Sequence, residues 1–171
     1  MLFRSAVVPI ELSECDPPLA SDRLSRGHRL HSGTVRLDSA ASYEASLAAA
    51  GVQVGREQRG RLIGNAIEAA AEAASGRPDL PASLFAELLD LVEAPRVIEG
   101  AIEERFLHLP PEVLCTVMRA HQRYVPLLRR DAPVDPLALE SSAQLLPRFL
   151  CVANGLEDAT ATIRQIGRAH V

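Results

Sequence analysis

At 171 residues, with 47% hydrophobic and 23% charged side chains, the chain is long enough to bury a real core and too apolar to stay extended. Its formal charge of −4 excludes a broadly basic nucleic-acid binder. No run approaches the roughly 18 to 20 apolar residues that a membrane span needs.

The start, MLFRSAVVPIEL, has too short an apolar stretch for a signal peptide and meets acidic residues early. All 18 basic residues are arginine, for which codon bias in a GC-rich genome is the simplest cause. Cys15, Cys115 and Cys151 are scattered, odd in number and outside any CxxC pair, which suits small thiols in a reducing cytoplasm. A soluble, cytoplasmic globular protein is expected.

Ala6 to Leu12 (AVVPIEL) reads as a short buried strand followed by an Asp-Pro-Pro turn. Gly33 to Leu37 reads as a second strand. Asp38 or Ser39 then caps a helix over Ala41 to Ala50, and Gly51 ends it. The clearest helix runs from Arg56 to Ser75, with Leu62, Ile63, Ala66, Ile67 and Ala70 on one stripe and Gly76 as its stop. Leu84, Phe85, Leu88, Leu89 and Val92 repeat at helical spacing. Arg96 to Ile102 reads as a strand, and Pro110 and Pro111 open a helix whose inner face is Leu114, Val117 and Met118, joined by Cys115. YVPLL and RFLCVAN read as two later strands separated by a loop over Asp131 to Ser142. A last helix is expected over Glu157 to Arg164. Strands and helices without strict βαβ alternation predict an α+β domain, with a mixed sheet and packed amphipathic helices.

Candidate chemistry is sparse. His28, His31 and Cys15 lack the fourth ligand and the paired spacing of a zinc site, so no metal is expected. Cys115 and His121 lie six residues apart on one helix, on different faces, and a buried structural thiol is the simpler reading. No GxSxG, Walker-type loop, GxGxxG or HExxH motif occurs. Two clusters invite a functional reading. Arg23, Arg26, His28 and Arg29 fall in one turn, which Gly27 lets bend sharply. Arg119, His121, Gln122, Arg123 and Tyr124 straddle a helix C-terminus, where the helix dipole alone would favour them. In the functional reading these side chains meet RNA phosphates and Tyr124 offers a stacking face; in the plainer one they are solvated or paired with nearby acids.

Three blocks in order, FLHLPPEVLCTVMRA, HQRYVPLL and LLPRFLCVANG (Phe106 to Gly155), resemble the β subunit of the bacterial two-subunit glycyl-tRNA synthetase. SDRLSRGHRLH (Ser21 to His31) is similar to the family's "RGHRF" turn, and LFAELLDLVEAP (Leu84 to Pro95) to its "LVEWP" segment. Together the matches span about residues 7 to 164. Ala94 stands where the family usually has Trp, and Val125 where it usually has Phe.

The resemblance implies a module like the B3/B4 domain of phenylalanyl-tRNA synthetase. It implies no catalytic, cofactor or metal residue in this chain, since ATP with Mg2+ and glycine would bind the separate α subunit of a heterotetrameric holoenzyme. The partners implied are that α subunit and tRNA(Gly), with no membrane. The side chains that would touch tRNA are Arg26, His28, Arg29, Arg119, His121, Arg123 and Tyr124. A stand-alone module that binds RNA or protein is the alternative. A trans-editing hydrolase has only analogy with the phenylalanyl enzyme behind it.

Met1 to Ser5 (MLFRS) and Ile166 to Val171 (IGRAHV) match no part of the family's pattern and back-translate into the two strands of a short-read sequencing adapter. They are expected to be library artefact, leaving 6–165 as the natural segment of a longer β subunit, with Arg168 and His170 carrying no function.

Overall fold

The computed structural model describes residues 6–133 and 144–155. Both chain ends, most of the loop expected over 131–142 and the helix expected over 157–164 lie outside the described residues. The chain divides into two compact units, Met1–Gly55 and Arg56–Val171.

The first unit is built from small pieces. Strand β1 (Glu11–Leu12) pairs antiparallel with β2 (Leu19–Ala20) around the Asp-Pro-Pro turn. The buried strand expected over residues 6–12 is instead exposed throughout, since no described residue of its own unit packs a layer on the hairpin's aliphatic face. Strand β3 (Leu24–Arg26) pairs antiparallel with β4 (Thr34–Arg36) in the register Ser25 to Val35. A 3-10 turn, Ala40–Ser42, leads into helix α1 (Tyr43–Ala49). Ser39 caps that entry reciprocally with Ser42: each backbone N–H donates to the other's hydroxyl at 3.2 Å. Gly51, with φ of 80°, ends the helix in the left-handed conformation that glycine adopts without strain.

The second unit carries helix α2 (Arg56–Ala73), strand β5 (Gly76–Pro78), helix α3 (Ala82–Leu91), strand β6 (Pro95–Ala101), helix α4 (Pro111–Val117), strand β7 (Tyr124–Arg129) and strand β8 (Leu145–Asn154). Its sheet has the order β5-β7-β8-β6, and every neighbouring pair is antiparallel. The mixed sheet expected from the sequence is thus corrected. Each strand runs opposite to its sheet neighbours, the arrangement whose ladder hydrogen bonds lie perpendicular to the strands.

Two cores lie on opposite faces of that sheet. Ile63, Ile67 and Ala71 of α2 and Leu84, Leu88 and Leu89 of α3 cover Val125, Leu127, Leu150 and Val152. Leu114 and Cys115 of α4, with Met118, cover Leu128, Leu145 and Phe149 on the other side. Alternate residues of β7 and β8 serve alternate cores, which is why both strands read as nearly unbroken apolar runs. Arg56 reaches Asp90 at 2.9 Å and Arg59 donates to the Leu89 carbonyl at 3.1 Å, tying α2 to α3.

Three sequence expectations change. Leu62 is 45% exposed, a turn of about 100° away from buried Ile63. Val117 is 40% exposed, while Leu114, Cys115 and Met118 make the inner stripe. Helix α2 is stopped by Ser75, whose φ is 54°; Gly76 is already in β5. A Cβ on Gly76 would come within 2.6 Å of Leu146 and 2.9 Å of the Leu128 carbonyl, so close packing explains that glycine.

Leu88→Ala should therefore cost about 2 to 5 kcal/mol of stability, whereas Val117→Ala should cost less than about 0.5 kcal/mol. Denaturant titration of the two variants checks the contrast.

Candidate nucleic-acid interface

The two arginine clusters belong to different units. In the first unit, His28 is fully buried: its backbone N–H donates to the Ala50 carbonyl at 2.9 Å, and its ring stacks on His31 with centroids 4.9 Å apart. In this conformation it shapes the turn, with its ring enclosed. Gly27 is required for space and not for a bend, since an added Cβ would lie 2.6 Å from Ser32 Cβ and 2.8 Å from Ala50 Cβ. The Arg23 guanidinium donates to the Asp38 backbone carbonyl. Arg26, at the end of β3, and Arg29, in the turn, are exposed.

In the second unit, α4 continues into a π-helical turn, Met118–Gln122, that delivers the chain into β7. Arg123 ends the turn with φ of 58°, its guanidinium donating to the Ala120 carbonyl and reaching Glu87 at 2.6 Å. Arg119 donates to the Cys115 carbonyl at 3.3 Å and meets buried Asp79 at 3.4 Å. Asp79 is itself fixed by its backbone N–H, which donates to the Pro126 carbonyl at 2.9 Å. Tyr124 stacks on Phe149 at 4.5 Å and 13°, and burial raises its phenol above the ordinary value. One face of that ring is thus already covered. His121 is exposed.

Pro81, Ser83, Glu87, Thr116, Arg119 and Arg123 line an open groove of about 350 Å³. Two arginines bring positive charge to this area, and Asp79 and Glu87 offset much of it. Those two acids were missed in the sequence. Glu87 shows only as a polar position between Leu84 and Leu88, and nothing around Asp79 marks it as buried.

Cys115, whose carbonyl accepts from Arg119, is fully buried. Burial first, and then the Asp79 charge, push its thiol up to about 12, so it is no nucleophile near neutral pH. Among the described residues no three His, Cys, Asp or Glu side chains gather to hold a metal ion, and no helix is long and apolar enough to cross a membrane.

In this antiparallel α+β unit Arg119 and Arg123 are anchored by Asp79, Glu87 and backbone carbonyls. Residues 1–171 match the family described as glycyl-tRNA synthetase beta subunit. The chain is 41% identical over 155 residues to the glycine–tRNA ligase beta subunit of Picosynechococcus sp., a match that covers 90% of this chain and 20% of that protein. It is 40% identical over 171 residues to that of Acaryochloris marina, covering 99% and 22%, and 35% identical over 163 residues to that of Desulfitobacterium hafniense, covering 95% and 21%. The chain belongs to the glycyl-tRNA synthetase beta-subunit family and spans about one fifth of the length of these relatives. Ala94 and Val125 are both buried.

Folding keeps the Cys115 proton that an unfolded chain releases near pH 9. This contribution to stability is full below pH 9 and is lost as pH rises from there towards about 12. Unfolding free energies measured between pH 8 and about 11 should fall more steeply for the natural chain than for Cys115→Ala. Equal slopes would show that the thiol is not held protonated.

Proposed function

We propose that this chain is a structural and tRNA-positioning part of a glycine–tRNA ligase β subunit. The observation that carries the reading is the match to β subunits over 90% or more of the chain at 35 to 41% identity. In the holoenzyme the α subunit binds glycine and ATP with Mg2+. The glycine carboxylate attacks the α-phosphorus of ATP, pyrophosphate leaves, and the glycyl group then passes from AMP to the 3′ end of tRNA(Gly). These residues contribute α+β structure, similar to a B3/B4 domain, that helps to hold tRNA relative to the α subunit in the cytoplasm. The buried, protonated Cys115 thiol and the inward tethers of Arg119 and Arg123 support a framework role over a chemical one.

Arg26 and Arg29 are the leading candidates to touch tRNA, because both are exposed and a guanidinium binds phosphate through two parallel N–H groups. Arg119, His121, Arg123 and Tyr124 form a second group whose arginines are already held by Asp79 and Glu87.

In the assembled enzyme, Arg26→Glu with Arg29→Glu should weaken tRNA(Gly) binding about tenfold, roughly 1.4 kcal/mol. The slope of log affinity against log salt should become shallower by about 0.7 to 0.9 for each phosphate that these side chains no longer neutralise. Glycine-dependent ATP–pyrophosphate exchange should stay unchanged. Unaltered tRNA affinity would remove this turn from the interface.

A further inference from the structure

The β1–β2 hairpin presents an aliphatic face. Leu12 and Leu19 stand directly opposite each other, so their side chains share one side of the ribbon. The pairing continues one step further, where the Ser21 N–H donates to the Ile10 carbonyl at 2.7 Å and the Ile10 N–H donates to the Ser21 hydroxyl at 2.9 Å. Alternation puts Ile10 on the side of Leu12, with Val8 next in the series. Val8, Ile10, Leu12 and Leu19 are 69%, 59%, 53% and 60% exposed. A lone two-stranded hairpin is at best marginally stable in water, and four adjoining aliphatic side chains in solvent add nothing to hold it.

We propose that this face is a docking surface inside the full β subunit, covered by apolar side chains from the part of that polypeptide lying outside these 171 residues. The relatives are about five times as long as this chain, so ample sequence is available to supply the cover. A covering segment on the same polypeptide docks intramolecularly, without waiting for a second protein. That suits a hairpin whose own stability depends on being covered. The ribbon's polar edge is already satisfied through Ser21, whose hydroxyl also donates to the Val8 carbonyl at 2.7 Å. The cover therefore has to supply aliphatic surface and few hydrogen bonds.

The proposal rests on the chain being part of a longer β subunit. Hydrogen exchange read by mass spectrometry on the isolated β subunit, with and without the α subunit, tests it. The amides of residues 8–12 and 19–21 should exchange at least about tenfold more slowly than in an unstructured peptide, both with and without α. Ile10→Glu should abolish that protection. Exchange at the unstructured rate in the natural subunit would overturn the proposal. So would protection that appears only when α is added, which would make the α subunit the cover. Protection that grows with β concentration would point to a second copy and would overturn it too. A subunit that fails to support glycylation with α would instead refute the β-subunit reading, separately from the exchange result.

Discussion

The pairing of β7 with β8 is the constraint on which the second unit depends. These two strands occupy the middle of the sheet, and their core residues fall into one of two clusters according to parity. Val125, Leu127 and Leu150 face α2 and α3; Leu128, Leu145 and Phe149 face α4. A slip of one residue would send each set to the wrong face, so the apolar pattern fixes the register strongly. A shift in the ladder between Pro126 and Leu128 accommodates a proline that donates no hydrogen bond. At the β6 side, Phe149 lies over Gly100, where an added Cβ would fall 2.4 to 2.9 Å from the ring. The aromatic ring thus covers the gap left by a residue without a side chain.

The same frame sets the position of the charged groups. Asp79 follows β5 directly and is anchored to β7 through Pro126, so Arg119 meets a carboxylate that the sheet has placed. Arg123 ends the π-helical turn just before β7 and reaches across to Glu87 on α3. A partly buried ion pair is weak evidence of added stability, but it fixes geometry. These arginines look like surface cations in the sequence and act in the fold as ties between elements. Arg26 and Arg29 differ, standing exposed on a turn whose shape comes from buried His28 and closely packed Gly27.

Long periodic segments were legible in the sequence. Helices α2 and α3 follow from the spacing of Ile63 with Ile67 and of Leu84 with Leu88, and β6, β7 and β8 follow from runs of apolar residues bounded by turns. The family was legible for a related reason, since its ordered blocks fall on α4, β7 and β8, whose buried residues demand a particular apolar pattern. Tertiary facts were not legible. Leu62 and Val117 are apolar residues just off a buried stripe, and composition alone does not separate them from their neighbours. Gly27 and Gly76 look like bends, yet close packing explains both: Gly27 against Ser32 and Ala50, Gly76 against Leu128 and Leu146. The burial of Asp79 and His28 likewise depends on segments far along the chain.

Native-state hydrogen exchange followed by NMR on this chain tests the role of the central strands most directly. Amides of Val125, Leu127, Leu128, Leu150 and Val152 should be the slowest to exchange and should open only with global unfolding. If the amides of α2 outlasted them, the helix layer and not the β7–β8 pair would be holding the unit together.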